Sequence, residues 1–406
     1  MPTPDWLKSL EALIGNARVI SDDAALASHA AQGVAPACIC APETEEEVAT
    51  VLRFAAEHKI PVLPRGGGTG QGIGNPPPAG GLVLSTKKFD KLIHHEPGDM
   101  VATVQAGMTL GALSEALAKN GQFLTLDGPA DATVGGMMAT DRSGPRALGY
   151  GTARDLVLGM RIVNGDGVIR KCGGQVVKNV SGYDLAKLYI GSLGTLGVIT
   201  EVTFRLRPFP IARSTWTFSA QDRAAGTSLL RKIAAKNLPL EMLRLQKNGV
   251  WSIDVSATGA EVELDRIDRE ISESIAPLKS ERAAGSTRWQ ADTVYAKPPT
   301  GQGATLRYWC VSSKLNAVLE LLEPLGPSHL ETGTTGGTAR LAIKSDAAQV
   351  LAEKLGSLSV NYRWEELNGV KIENPFGAAR ADWALMKKIH LSLDPKGIMN
   401  SGRFVV

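Results

Sequence analysis

The chain has 406 residues, of which 43% are hydrophobic and 21% charged, with a formal net charge of +3 and a mean hydropathy near zero. Such a length accommodates two or three domains with a sizeable core, and so small a charge excess exerts no pull toward nucleic acid. No apolar run reaches the length of a membrane span, and Met1-Pro2-Thr3-Pro4-Asp5-Trp6 carries no basic segment followed by an apolar one, so neither a membrane-spanning helix nor a secretory leader is expected.

Residues 5–33 read as helical and then irregular, with Leu7, Leu10, Leu13 and Ile14 at helical spacing. Cys38-Ile39-Cys40 reads as two sides of one strand. The four cysteines (Cys38, Cys40, Cys172, Cys310) form no C-x-x-C pair. That argues against an iron–sulfur cluster or zinc ribbon and for reduced thiols in a cytosolic protein. Thr44 and Glu47 form a capping box for a helix that places Val48, Val51, Leu52 and Ala55 on one face and ends near His58-Lys59.

A short apolar strand, residues 60–63, then runs through Pro64-Arg65 into a loop in which six of the nine residues 66–74 are glycine. Glycine at that density brings main-chain N–H groups within bonding range of a ligand, and successive exposed N–H groups make a concave anion site suited to pyrophosphate. A flexible linker is the alternative; the strand entering directly and Arg65 at the mouth favour the binding loop. The dinucleotide fingerprint Gly-x-Gly-x-x-Gly fits no register here, and Asn75-Pro76-Pro77-Pro78 stands where its helix would begin. No Gly-Lys-Ser/Thr occurs either. The loop approaches phosphate by neither standard route.

Leu82–Leu84 and Val101–Val104 read as strands, Leu110–Lys119 as a helix stopped at Asn120-Gly121, and Gln122–Leu126 as a strand. His94-His95 reads as part of a surface turn. A second small-residue loop spans Ala132 to Pro145 and includes Thr133-Val134-Gly135-Gly136. Strands Leu156–Val163 and Val168–Lys171 form a hairpin around Asn164-Gly165-Asp166-Gly167. After a helix at 185–190 comes a third glycine cluster, Gly191-Ser192-Leu193-Gly194-Thr195-Leu196-Gly197, then a strand Val202–Leu206 and a boundary at Pro208-Phe209-Pro210. Long cofactors with an adenine, a pyrophosphate and a ring system need support from several such segments. From 213 to about 380, strands near 215–218, 251–255, 307–311 and 339–343 alternate with amphipathic helices at 225–235, 261–274, 314–322 and 346–355. That alternation indicates an α+β domain with a mainly antiparallel sheet. A helix at 380–391 leads into a turn-rich tail, Asp394 to Arg403.

The Pro64-Arg65-Gly66-Gly67-Gly68-Thr69-Gly70 loop, Thr133-Val134-Gly135-Gly136, Gly194-Thr195-Leu196-Gly197-Val198-Ile199-Thr200 and the Asp394-Pro395…Asn400-x-Gly402-Arg403 tail together resemble FAD-binding proteins of the vanillyl-alcohol-oxidase/PCMH type. Ala139-Thr140-x-x-Ser143-Gly144-Pro145-Arg146, Gly173 to Asp184 and Gly191-Ser192-Leu193-Gly194-Thr195 resemble the FAD-binding subunit of bacterial glycolate oxidase, also called glycolate dehydrogenase. The resemblance runs from about 42 to 210 and returns at 394–403. It implies a PCMH-type FAD-binding domain of two α/β subdomains over 1–212, a second α+β domain over 213–385, and a C-terminal segment, 386–406, returning to the FAD site. It also implies FAD as cofactor, with Arg65 to Gly70 and Thr133, Val134, Gly135, Gly136, Ala139 and Thr140 around the pyrophosphate and flavin. Gly144 and Gly151 belong to the same set. Gly197, Val198 and Ile199 would meet the adenine, and Asn400 and Arg403 would close the flavin end.

Relatives with covalent FAD carry a histidine where this chain has Thr69, which offers no ring nitrogen, so non-covalent FAD is expected. The resemblance further implies oxidation of glycolate to glyoxylate with a paralogous FAD-containing subunit and an iron–sulfur subunit as partners, in the cytoplasm and peripheral at the inner membrane through that complex. Alternatives are a free-standing dehydrogenase for another 2-hydroxy acid such as D-lactate, or a subunit that holds FAD as a scaffold or relay. Two departures bear on this. Leu193 stands where substrate-oxidising paralogues carry a glutamate, and residues 213–380 hold one histidine, His329, which cannot make a metal site alone. The catalytic residues are therefore left open. His390 reads as a solvated helix position against the alternative of a general base. Asp184 reads as a helix N-cap or, with Tyr183, a flavin neighbour; Lys178 faces either the cofactor or the second loop. Trp289, Trp309 and Trp364 read as core or interface aromatics.

Overall fold

A computed structural model describes residues 4–174, 184–273, 279–284 and 301–404. Lys178, Tyr183 and Trp289 lie outside the described residues.

The first layer is a four-stranded sheet in the order Val19–Ile20, Cys38–Cys40, Leu82–Ser85, Val62–Arg65, parallel except at its first edge. Parallel strands covered on both faces need continuous apolar runs, which Leu82-Val83-Leu84 supplies. Cys38 and Cys40 enter one core cluster and Ile39 the opposite one. Helix Glu45–His58 packs over this sheet with Val48, Val51, Leu52 and Ala55 buried. Its Thr44 hydroxyl accepts from Glu47 N–H at 3.2 Å, while the Glu47 carboxylate turns back to Glu43 N–H at 2.8 Å, so the reciprocal bond falls one residue before the cap. Helix Leu7–Ile14 buries Leu7, Leu10 and Ile14; Leu13, expected inside, is 49% exposed because it sits about 100° round the helix from Ile14.

The second layer is antiparallel, in the order Leu92–Glu96, Val101–Gln105, Val198–Arg205, Val157–Val163, Ile169–Gly173. His94 and His95 belong to its edge strand rather than a turn, and His95 Nε2 lies 2.9 Å from Gln122 Oε1. Strand Val198–Arg205 begins four residues before the expected start, so Gly197-Val198-Ile199 is a turn-to-strand junction. The second small-residue loop is in part a helix, Val134–Thr140, capped by the Thr133 hydroxyl. Its N–H groups at Val134 and Gly135 donate to Met108 O and Ala106 O, so the neighbouring sheet holds a glycine-bearing turn that would be weak in isolation. Helix Ala186–Tyr189 has Leu185 at its N-cap; Asp184 instead pairs with Lys187 at 3.2 Å.

The second domain is an eight-stranded antiparallel sheet: Lys279–Ala284, Ala212–Ala220, Val250–Gly259, Leu240–Asn248, His329–Thr332, Gly336–Leu341, Gly303–Trp309, Asn361–Asn368. Helices Arg223–Ala235, Glu261–Ser272, Leu315–Leu322 and Ser345–Ser357 supply buried leucines and isoleucines to its core, around a fully buried Trp364. Trp309 stays 44% exposed.

Helix Trp383–Leu393 then carries the chain back. His390, expected in solvent, is buried, and its Nδ1 donates to Thr195 O at 3.0 Å, because this face of the helix docks on the 191–197 turn. Ile398 and Met399 fill the first core, Val62 N–H donates to Ile398 O at 2.8 Å and Asn400 N–H to Val62 O at 2.7 Å. Among the described residues no helix is long and apolar enough to cross a membrane.

Gly107 shows how closely these layers approach: a Cβ there would lie 1.9 Å from Thr86 O and 2.8 Å from Phe89 O, both backbone. We expect Gly107→Ala to cost about 1–3 kcal/mol by overpacking, read as a lower urea midpoint; an unshifted midpoint would refute that packing.

Candidate functional site

The loop after strand Val62–Arg65, the helix Val134–Thr140 and the turn at 193–199 converge with Asn400 and Arg403 on one cleft. Its walls include Arg65, Gly66, Gly67, Gly68, Thr69, Gly70, Thr133, Gly135, Gly136, Ala139, Thr140, Gly197, Val198, Ile199, Asn400 and Arg403. Three expected residues stand elsewhere. Val134 is fully buried in the second core. Gly144 packs on the Asp127 carboxylate, and Gly151, at φ +84°, on Asp155. Their small size serves protein packing. Pro64, Gln71, Thr86, Leu193 and Gly194 also line the cleft. Leu193 and Gly194 stood in the third glycine cluster without being assigned to the cofactor, and Thr86, arriving from the neighbouring strand end, carried no signal.

A Cβ at Gly66 would lie 2.0 Å from Thr133 Oγ1, and one at Gly67 would lie 2.5 Å from Asp131 O. The two segments therefore meet almost backbone to backbone, and the cleft wall is main chain. Gly67 N–H leans on Thr133 Oγ1 at 3.4 Å. Within the described residues, the N–H groups of Gly66, Gly68, Thr69 and Gly70 make no hydrogen bond. These four residues are half-buried, so their N–H groups stand open along the cleft to an acceptor.

Arg403 is 2% exposed. Its Nη2 donates to Gln71 O at 2.8 Å and Ile73 O at 2.7 Å, while Nε and Nη1 have no partner among the described residues. Burial pulls its pKa down to about 10. A buried cation without a counter-charge is costly, and an anion in the cleft would relieve it. Arg65 donates to Ser28 O and His29 O, each at 3.3 Å, leaving Nε buried and unbonded, and burial lowers its pKa too. Asn400, at φ +46°, donates to Leu193 O and keeps an unbonded buried Oδ1. The cleft is thus rich in donors and positive in charge.

The second domain presses on this cleft through an ionic cluster. The Glu365 carboxylate receives Arg142 at 2.9 Å, Arg363 at 2.5 Å and Arg307 at 3.4 Å. Arg142 also reaches Glu366 at 3.0 Å. Burial pushes the Glu365 pKa up, but the guanidiniums of Arg363, Arg142 and Arg307 outweigh it and hold the carboxyl well below its usual range. Neither Arg142 nor Glu365 stood out in the sequence, where charged residues of both kinds are common. A second cleft of about 390 Å³ lies between the domains, on the far side of the 191–197 turn, and is lined by Asp141, Arg154, Trp309, Tyr362, Phe376 and Trp383 among others. Among the described residues no group of histidine, cysteine, aspartate and glutamate could hold a metal ion.

Residues 36–173 match the family described as "FAD binding domain". The chain is 41% identical over 210 residues to a D-lactate dehydrogenase of Archaeoglobus fulgidus, covering 52% of this chain and 47% of that one. It is 36% identical over 208 residues to glycolate oxidase subunit GlcD of Bacillus subtilis, covering 50% and 44%. The chain thus spans about half the length of the curated relatives it matches. Its fold matches p-cresol methylhydroxylase at a TM-score of 0.76 and 17% identity, covering 98% of this chain and 95% of that one. The architecture is therefore the PCMH-type FAD-binding fold joined to an α+β domain, and the cofactor is FAD. The cleft fits it: unbonded main-chain donors and the unpaired Arg403 suit a pyrophosphate, and the elongated set of segments suits a long molecule.

Because the folded pKa of Glu365 is depressed, its contribution to stability is present above the unfolded value of about 4.5 and is lost as pH falls below it. We expect the urea midpoint to drop as pH is lowered from about 4.5. Glu365→Gln should cost about 3–5 kcal/mol at neutral pH and flatten that acid limb; an acid limb parallel to the wild type would contradict the assignment.

Proposed function

We propose that this chain is an FAD-dependent oxidoreductase acting on 2-hydroxy acids, and that it serves as the FAD-binding subunit of a glycolate dehydrogenase converting glycolate to glyoxylate. The observation that carries the cofactor site is the buried Arg403 guanidinium, unpaired by any carboxylate among the described residues and facing a wall of main-chain donors. FAD, when bound, supplies acceptance of a hydride from the substrate carbon. The N–H groups of Gly66, Gly68, Thr69 and Gly70 would hold the pyrophosphate, with Arg403, expected at the flavin end but bonded to the Gln71 and Ile73 carbonyls of the same loop, as counter-charge. The turn at 197–199 would hold the adenine by main-chain groups. Asn400, fixed to Leu193 O and Val62 O, would keep the far wall in place.

The similarity to a D-lactate dehydrogenase and to glycolate oxidase subunit GlcD supports the 2-hydroxy-acid class. On this reading electrons leave through an iron–sulfur partner, beside a paralogous FAD-containing subunit. One observation favours a second reading, in which this subunit relays electrons while a paralogue oxidises the substrate: the second domain meets the cleft-wall residues Thr69 and Thr140 with a filled ionic cluster.

Anaerobic titration of the purified, partner-free chain with glycolate and with D-lactate separates these readings. Bleaching of the flavin by glycolate supports oxidation in this chain, bleaching by D-lactate alone supports a free-standing D-lactate dehydrogenase, and bleaching by neither supports the relay. Acid precipitation should leave the yellow colour in solution, since Thr69 offers no attachment. Arg403→Met should weaken FAD binding by about 1.5–3 kcal/mol, measured by fluorescence titration; unchanged affinity would remove the central support of the site.

A further inference from the structure

The Glu365 cluster does more than join two domains. Arg142 Nη1 donates to Thr69 O at 3.2 Å, and Arg363 Nη1 donates to Thr140 O at 3.2 Å. Glu366 N–H donates to Gly72 O at 3.1 Å, and Arg307 Nη1 to Ser143 O at 3.0 Å. Thr69 and Thr140 both line the cleft, the first on the glycine loop and the second at the end of the helix Val134–Thr140, on two adjoining walls. Strand Asn361–Asn368 thereby grips both walls at once, partly through Arg142, whose guanidinium is shared between Thr69 O and the carboxylates of Glu365 and Glu366.

We infer that Arg142, Arg363 and Glu365 are positioning residues that latch the two cleft walls to the second domain, so that retention of FAD and docking of that domain are coupled. This rests on the reading of the cleft as the FAD site. The glycine loop is poor at holding its own shape, since glycine forfeits more backbone freedom than any other residue when ordered. Fixing its carbonyls at Thr69 and Gly72 from outside removes that freedom before the cofactor arrives, which is preorganisation. Coupling of this kind is reciprocal: if docking favours FAD, FAD favours docking by the same factor. The fork of Arg142 matters as well as its charge, because a lysine could not serve a carbonyl and two carboxylates in that geometry.

The test uses the full chain with FAD itself as probe. Arg142→Met, Arg142→Lys and Arg363→Met are compared with Arg244→Met, which breaks pairs with Asp254 and Glu331 inside the second domain and touches neither wall. Coupling predicts that all three latch variants raise the FAD dissociation constant roughly tenfold or more and shrink the FAD-induced rise in Tm. Arg244→Met should lower Tm with and without FAD alike and leave the dissociation constant unchanged. Hydrogen exchange supplies a readout free of unfolding: FAD should slow amide exchange in Asn361–Asn368 and not in Ala212–Ala220. Equal FAD affinity in wild type and latch variants, or an exchange pattern in Asn361–Asn368 indifferent to FAD, would overturn the latch while leaving the cleft assignment intact. Failure of the wild type to take up FAD would instead overturn the cleft assignment and the latch with it.

Discussion

The structure depends on one close approach, where the glycine loop after strand Val62–Arg65 lies against Thr133 and Asp131 with no room for a side chain at Gly66 or Gly67. Two main-chain segments can come that near only if one gives up its Cβ atoms. Once they do, the surface left between them is made of N–H groups instead of side chains. Such a surface is positive, directional and shallow, which suits phosphate oxygens and little else. The glycines therefore act twice: they make the packing possible, and the packing leaves the donors facing outward.

Charge reinforces that arrangement from the far end of the chain. The tail returns beside strand Val62–Arg65, with Val62 and Asn400 exchanging main-chain hydrogen bonds with their new neighbours. That return delivers Arg403 to the loop carbonyls of Gln71 and Ile73. A guanidinium held only by neutral carbonyls in a buried position stores an unmet electrostatic demand. By contrast, the Arg142–Arg307–Arg363 group has its demand met by Glu365 and Glu366. The two cationic groups sit near the same cleft yet have opposite physical characters: one awaits an anion, the other is neutralised and structural.

The second domain carries the same logic in its sheet. Its core is an ordinary apolar layer under four helices, and its chemistry is concentrated in strand Asn361–Asn368, where Arg363 and Glu365 flank the core-facing Trp364 and Glu366, at φ +53°, joins them through a bulge. Alternation at 363–365, and the bulge that turns Glu366 to the same side, let one strand both anchor the domain and address the cofactor domain. The filled cluster and the aromatic-lined cleft beyond the 191–197 turn divide the interdomain space into a locked part and an open part.

The sequence by itself determined the glycine loop, the third glycine cluster and the returning tail, because unusual residue density is a local property and phosphate loops need it. It also determined the alternation of strands and amphipathic helices in the second domain, since periodicity needs no partner to be read. Tertiary structure alone decided that 134–140 is a helix despite its glycines, because Ala106 and Met108 carbonyls from the adjacent sheet hold its first turn. Tertiary structure likewise buried His390 against Thr195, left Leu13 outside, and turned Gly144 and Gly151 to protein packing. It also assembled Arg142 with Glu365 across more than half the chain. Charge pairs that distant leave no local trace, for their meaning lies in which surfaces the fold brings together.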